Sequence, residues 1–135
     1  MKDVLIVDDE PGVTAAVSLM LKKSGIACRT ASSVRKALAA VEAEWPGVVL
    51  LDLTLAGGKD GWQVWETLAQ VGRGRPLAVI VFAAEINGQD QAEAARRGAA
   101  DVLRKTAGPK AIVEAVRHSL QRISPVPSVQ TGSLE

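Results

Sequence analysis

Four charged residues of this sequence stand where short apolar runs end. They are Asp8, Asp9, Asp52 and Lys105, which follow the runs 4–7, 48–51 and 102–103. Carboxylates that lie close together repel one another and need a counter-charge, which a hard divalent cation such as Mg²⁺ supplies. A neighbouring lysine adds a positive charge that can pair with a phosphoryl oxygen. If these residues converge, they predict magnesium-dependent phosphoryl transfer to an aspartate.

The elements that would position these residues follow a regular alternation. Five apolar runs, rich in β-branched residues, predict strands at 4–7, 26–28, 48–51, 79–82 and 102–103. Amphipathic helical patterns lie between and after them, with Pro11 in the first turn of one, Ser32 or Ser33 as a cap, and Gly25 and Gly98 as helix stops. This βα alternation predicts an α/β fold with an open, doubly wound parallel sheet, because five units are too few for an eight-fold barrel. Ligands of such sheets bind beyond the carboxyl ends of the strands.

Composition narrows the class of protein. The net charge of +1 predicts neither a direct nucleic-acid partner nor a membrane partner, and the single cysteine excludes an intramolecular disulfide. No apolar run reaches the length of a membrane span, so a cytoplasmic location is expected. Residues 1–123 are predicted to form one domain, and the Ser- and Pro-rich residues 124–135 a flexible tail or the start of a linker.

Four motifs give the sequence a family resemblance. VLIVDDEP, LLDL, the pair Asp60-Gly61 and GAADVLRK occur in order, and with them the chain resembles the response-regulator receiver family over most of its length. The resemblance implies a flavodoxin-like sheet of five parallel strands in the order 2-1-3-4-5 with five helices. It also implies a two-component signalling domain that receives its phosphoryl group from a histidine kinase or a phosphotransfer protein and acts through protein contacts.

The resemblance assigns roles to five residues. Asp52 resembles the phosphoacceptor and a metal ligand, and Lys105 resembles the phosphoryl-binding lysine. Asp9 is similar to a direct magnesium ligand, Asp8 to a residue that acts mainly through magnesium-bound water, and the backbone carbonyl of Thr54 to the third protein ligand. Self-phosphorylation and self-dephosphorylation are the only catalysis this implies.

Two positions depart from the family pattern. Ala83 stands where the family usually has a Thr or Ser hydroxyl at the end of strand four, and Val102 stands where it usually has an aromatic ring. The loop after Asp52 also looks one residue longer than the commonest form. Both partners of the usual hydroxyl–aromatic switch are therefore expected to be absent. The arginines at 73, 75, 96 and 97 are expected to be solvated surface residues.

Three functions stay open on the sequence. The first is a phosphorylated signalling receiver. The second is a pseudo-receiver, a binding module without phosphorylation-driven switching, which Ala83 and Val102 motivate. The third, an aspartyl-nucleophile phosphatase, is weaker, because such enzymes usually carry the nucleophile on the first strand with another acid two residues later. Here the acids Asp8 and Asp9 are adjacent.

Overall fold

A single parallel sheet positions the candidate site residues at the ends of its strands. The structure, a computed structural model, describes residues 3–55 and 60–122. Its strands are β1 (Val4–Val7), β2 (Cys28–Ala31), β3 (Val48–Leu51), β4 (Ala78–Ala83) and β5 (Asp101–Arg104). Its helices are α1 (Pro11–Lys23), α2 (Val34–Ala43), α3 (Asp60–Gly72), α4 (Gly88–Arg97) and α5 (Pro109–Arg122). The strand order is β2-β1-β3-β4-β5, so the predicted fold and order are confirmed.

Alternate side chains of the central strands enter two separate cores. In β1, Leu5 and Val7 pack into a core with residues of α2, α3 and α4, whereas Val4 and Ile6 pack into a core with α1 and α5. This follows from the period of two in a strand, which sends neighbouring side chains to opposite faces. Because both faces are covered, the central strands are apolar throughout, and only their ends can carry polar chemistry.

The second strand differs from the prediction, which shares only Cys28 with it. The apolar run 26–28 ends where β2 begins, and β2 continues through Arg29 and Thr30 to Ala31. As an edge strand, β2 pairs with β1 alone, and its side chains are mostly half-buried or exposed, so it needs no apolar run. Ile26 is buried in the turn before the strand, where its N–H donates to the carbonyl of Leu21 at 2.9 Å.

Most helix ends agree with the sequence signals. Pro11 is the first residue of α1, and Ser33 caps α2 by accepting from the N–H of Lys36. Gly98 ends α4 in the left-handed conformation with a φ of 83°, which suits a residue without a Cβ. The capping box that begins α4 was missed. In it, Asn87 accepts from the N–H of Asp90 at 2.8 Å, and the Asp90 side chain accepts from the N–H of Asn87.

Four predictions concern residues or properties beyond these elements: the location, the tail, the lengthened loop and the domain boundary. None of the helices in the described ranges is both long and apolar enough to cross a membrane. The cytoplasmic location stays a prediction. The predicted tail at 124–135 and most of the lengthened loop, at 56–59, lie outside the described residues, and so does the domain boundary at 123.

Candidate functional site

Strand pairing continues one residue past three strands and fixes the backbone of the site. The N–H of Asp8 donates to the carbonyl of Ala31 at 3.1 Å, and the N–H of Asp52 donates to that of Val7 at 2.9 Å. The N–H of Lys105 donates to the carbonyl of Ala83 at 2.8 Å. Residues far apart in sequence are therefore held at one edge of the sheet, where their side chains meet.

Lys105 lies among three carboxylates. Its Nζ is 2.7 Å from Asp8 Oδ2, 2.9 Å from Glu10 Oε1 and 3.4 Å from Asp52 Oδ2. Burial lowers the pKa of Lys105, but its close ion pairs with the carboxylates of Asp8 and Glu10 and the charge of Asp52 outweigh burial, so the pKa lies above its ordinary value. The lysine is thus a permanent cation that can bind an anionic oxygen.

Asp8 is almost completely buried, and its two carboxylate oxygens differ. Oδ1 accepts from the N–H of Glu10 at 2.9 Å. Oδ2 faces Lys105 at ion-pair distance but has no partner with hydrogen-bond geometry among the described residues. Burial raises the pKa of Asp8 most strongly and the charge of Asp52 adds to this, while Lys105 and the backbone of Glu10 lower it; the net pKa is raised.

The acidic group fits a hard divalent cation. One oxygen each from Asp8, Asp9 and Asp52 lies within 4.8 Å of the other two. A buried carboxylate oxygen without a hydrogen bond, Oδ2 of Asp8, is an atom that a cation or a cation-bound water would satisfy. Sparse carboxylate ligation completed by water or phosphate suits Mg²⁺. These residues therefore fit the magnesium predicted from the sequence.

Asp52 has one oxygen engaged locally and the other turned to the lysine. Oδ1 accepts from the backbone N–H of Thr54 at 3.1 Å and from its Oγ1 at 3.2 Å. Oδ2 is the oxygen 3.4 Å from Lys105. Only 1% of Asp52 is exposed, whereas the neighbouring Asp9 and Thr54 are exposed.

The start of α3 closes tightly over the backbone of Asp52. A Cβ placed on Gly61 would lie 2.3 Å from the Asp52 carbonyl oxygen and 2.6 Å from the Leu53 Cα, so only glycine fits. The N–H of Gly61 donates to the carbonyl of Leu53 at 3.3 Å. The pair Asp60-Gly61 therefore stands where the resemblance expected it, at the entry to α3.

The two departures from the family pattern are apolar positions in the core. Ala83 is the last residue of β4 and is fully buried. Val102 lies in β5 opposite Val81, is half-buried, and packs against the same core as Ala83. Neither side chain carries a hydroxyl or a ring, so neither can supply the contact that the family usually has there.

Some residues of functional interest gave little signal in the sequence. Glu10 follows Asp8 and Asp9 in the motif VLIVDDEP, but its contact with Lys105 was not predicted. Arg97, expected to be solvated, is half-buried against two tryptophans of α3. That contact joins residues of two different helices that lie up to 35 positions apart in the sequence. No local spacing pattern could therefore reveal it.

Comparison with known proteins identifies the family. The model of the response regulator receiver domain matches residues 4–117. The two-component response regulator PprB of Pseudomonas aeruginosa is 36% identical over 122 residues, covering 89% of this chain and 42% of that protein. The phosphate regulon transcriptional regulatory protein PhoB of Escherichia coli is 28% identical over 123 residues, covering 91% of this chain and 53% of that protein.

Solved structures agree with the fold. The receiver domain of NtrX from Brucella abortus is 29% identical with a TM-score of 0.79, covering 88% of this chain and 98% of that one. A CheY-like receiver domain from Methanospirillum hungatei has a TM-score of 0.81 at 21% identity, covering 91% of this chain and 96% of that one, and supports the fold alone.

The match extends over nearly all of the sheet and helices. The chain spans less than two thirds of the length of PprB and PhoB, so the likeness concerns one domain of those proteins. Within that domain, the strand order agrees with the fold of receiver domains of known structure. The chain belongs to the response-regulator receiver family, a family of two-component signalling domains.

Proposed function

We propose that this chain accepts a phosphoryl group on Asp52 in a magnesium-dependent reaction. The observation that carries the proposal is the environment of Asp52, whose buried Oδ2 faces the Lys105 ammonium at 3.4 Å. Its grouping with Asp8 and Asp9 supplies the ligands for a cation. A nucleophilic carboxylate, a lysine and a cation site together are what phosphoryl transfer to an aspartate requires.

The chemistry follows from the two oxygens of Asp52. Oδ1 is engaged by Thr54, so Oδ2 is the nucleophile, and its bond to phosphorus forms while the donor's bond to phosphorus breaks. The electron pair leaves with the donor, which is an imidazole nitrogen in a phosphohistidine or a carboxylate in acetyl phosphate. Lys105 moves its charge from Asp8 and Glu10 toward a phosphoryl oxygen. Attack by water at phosphorus later releases inorganic phosphate and restores the carboxylate.

Magnesium, held by Asp8, Asp9, Asp52 and the carbonyl of Thr54, would neutralise negative charge on the phosphoryl oxygens. Of these, Asp9 is exposed and Asp8 is buried against Lys105, which supports a direct contact from Asp9 and a water-mediated one from Asp8. All four of these groups are hard oxygen ligands, which is the ligand type that Mg²⁺ prefers.

We infer that the donor is a protein carrying a phosphohistidine, either a histidine kinase or a phosphotransfer protein. A cleft of about 270 Å³ opens between α1 and α5 and reaches Lys105. Its walls are mostly apolar, and they include Val13, Ala16, Met20, Phe82 and Ile112. An apolar surface that adjoins the proposed phosphorylation site suits a protein donor better than a small-molecule donor. Output is proposed to pass through protein contacts, without direct binding of nucleic acid.

Incubation with acetyl phosphate and Mg²⁺ followed by intact-mass spectrometry tests the phosphoacceptor. One added phosphate is expected in the wild type, none in Asp52→Asn, and none when EDTA replaces Mg²⁺. Asp101→Asn, which removes an exposed acid at the start of β5, is the matched control and should keep the adduct. An adduct of equal yield in Asp52→Asn contradicts the assignment.

A second candidate function is a pseudo-receiver that binds partners without phosphorylation-driven switching. The observation that favours it is the apolar pair Ala83 and Val102, which leaves no hydroxyl or ring at the usual switch positions. Absence of any adduct in the wild type would favour this candidate. Steady hydrolysis of p-nitrophenyl phosphate would instead favour the phosphatase, the weakest of the three.

A further inference from the structure

Arg97, the last residue of α4, lies over two tryptophans of the neighbouring helix α3. The centre of its guanidinium group is 5.3 Å from the ring centroid of Trp62 and 5.9 Å from that of Trp65. The two rings stack with centroids 6.1 Å apart and planes inclined by 20°. A guanidinium over aromatic faces is held by cation–π attraction as well as by packing.

Two glutamates complete the contact. Arg97 Nε is 2.5 Å from Glu93 Oε2 within α4, and its Nη1 is 3.1 Å from Glu66 Oε1 on α3. The Arg97 side chain is 26% exposed, whereas that of its neighbour Arg96 is 72% exposed and pairs with Glu93 alone in its own helix. Arg97 therefore joins α4 to α3 through both charge and ring contacts, and Arg96 does not.

Helix α4 has few residues buried against the rest of the fold. Its buried residues in the described structure are only Asp90 and Ala94, and Asp90 belongs to the capping box. By contrast, α3 buries Val64, Trp65 and Leu68 in the core. A helix with so little apolar anchoring belongs to the least stable part of a fold, so one interhelical contact can shift its equilibrium.

The α3 side of the same contact lies beside the proposed phosphorylation site. Trp62 follows Gly61, which packs directly against the carbonyl of Asp52 and the Cα of Leu53. A displacement of the backbone at Asp52 therefore displaces the first turn of α3, and Trp62 with it. The contiguous contacts run from Asp52 through Gly61 and Trp62 to Arg97.

We propose that Arg97 is a positioning residue that couples the Asp52 end of α3 to α4, in the absence of the hydroxyl and the ring at Ala83 and Val102. The trigger rests on the proposed function, because a phosphoryl group on Asp52 is what displaces the adjacent backbone. Movement of Trp62 changes the geometry of the Arg97 contact. It thereby changes the fraction of molecules in which α4 is docked on α3. A ligand shifts such an equilibrium only through contacts that differ between the two states, and the coupling assigns that difference to the Arg97 contact.

Amide hydrogen exchange with and without Mg²⁺ and beryllofluoride, a phosphoryl mimic, tests the coupling in the whole chain. In the wild type, the mimic should change exchange at 60–66 and at 88–97. In Arg97→Gln, exchange at 88–97 should be roughly three- to ten-fold faster without the mimic, and the response there should be lost while that at 60–66 remains. Arg96→Gln is the matched control and should behave like the wild type. An unaltered response of α4 in Arg97→Gln overturns the proposal.

A mechanical trigger separates this proposal from the phosphorylation chemistry. Gly61→Ala forces a methyl group against the Asp52 backbone and needs no phosphoryl group. It should speed exchange at 88–97 beyond any change in β1, which reports global unfolding. The same substitution made in Arg97→Gln should add nothing at α4. If α4 fails to respond to Gly61→Ala, the coupling is refuted even where Asp52 is phosphorylated. If α4 responds to Gly61→Ala but not to beryllofluoride, phosphorylation is refuted as the trigger of the coupling, while loss of the mass adduct in the wild type is what would refute the proposed function.

Discussion

At Asp8, two effects on one carboxyl group oppose each other. Burial raises its pKa, and the ion pair with Lys105 lowers it, with burial the larger effect. The ionised side chain is thus held in a place that disfavours its charge when no cation is bound. A carboxylate arranged in this way favours binding of a cation over stability of the cation-free protein, as is usual at functional sites.

Asp8→Asn should stabilise the cation-free protein at neutral pH. Because the folded-state pKa is raised, the contribution of Asp8 to stability is fully present below its ordinary pKa of 3.8 and is lost as pH rises through the folded value. The variant should therefore melt at a higher temperature than the wild type at pH 7.5 with EDTA, and the difference should shrink toward pH 4. Differential scanning fluorimetry across this range measures it.

Two controls accompany that measurement. Asp101→Asn changes an exposed acid, so its melting temperature should follow the wild type at every pH. Added Mg²⁺ should raise the melting temperature of the wild type more than that of Asp8→Asn, because the variant has lost a charged oxygen of the site. A variant less stable than the wild type at pH 7.5 without Mg²⁺ would show that the ion pair with Lys105 outweighs burial.

At the scale of elements, the approach of α3 to β3 decides the geometry around Asp52. The helix can begin where it does only because residue 61 has no side chain. Glycine is thus required by close backbone approach, and not by helix propensity, which it lowers. The same helix carries Trp62 and Trp65, so the contact that fixes the site also fixes the surface to which α4 attaches.

Gly61→Ala should destabilise the fold by about 1–3 kcal/mol, the usual cost of forcing extra volume into a packed site. Urea denaturation should show a lower midpoint with an unchanged slope. The matched control is Gly12→Ala in the first turn of α1, where an added Cβ meets no heavy atom within 4 Å. That substitution should be neutral or stabilising by up to about 1 kcal/mol. Equal stability of Gly61→Ala and the wild type would show that α3 shifts freely.

At the scale of the whole molecule, two candidate routes could carry a conformational change away from Asp52. One runs through the ends of β4 and β5, where Ala83 and Val102 leave it without polar or aromatic partners. The other runs through α3 and Arg97 to α4. The lack of a hydroxyl at Ala83 and of a ring at Val102 weakens the route through β4 and β5. It leaves the route through α3 unchanged.

Restoring the usual pair should strengthen the response of β5. A hydroxyl that bonds a charged phosphoryl oxygen only in the active state contributes about 1.5–3 kcal/mol, which is roughly a ten- to hundred-fold shift between states. NMR shifts of residues 101–104 should change little with beryllofluoride in the wild type. They should change more in the double variant Ala83→Thr, Val102→Tyr, and each single variant is the control. A wild-type response in β5 as large as that of the double variant contradicts this prediction.

Much of the fold could be predicted because its signals are local. Strands β1, β3 and β4 are continuous apolar runs rich in β-branched residues, as is typical of strands that helices cover on both faces. Such runs can be recognised in the sequence alone. The edge strand β2 was misplaced for the opposite reason, since Cys28–Ala31 pairs on one side and carries a polar pattern. The short capping box before α4 was also missed, although Asn87 and Asp90 have the spacing of one.

By itself, the sequence determined the α/β class and the strands that end in acids, because each depends on residue type and position along one element. The candidate roles of Asp8, Asp9, Asp52 and Lys105 followed from the resemblance to the receiver family that the motifs carry. Only the tertiary structure decided which oxygen of Asp52 faces the lysine, that Glu10 shares Lys105, and that Arg97 lies on the tryptophans of α3. These are contacts between elements, and their distances depend on how helices pack on the sheet. No spacing along the chain contains that information, since packing is set by all the side chains of both cores together.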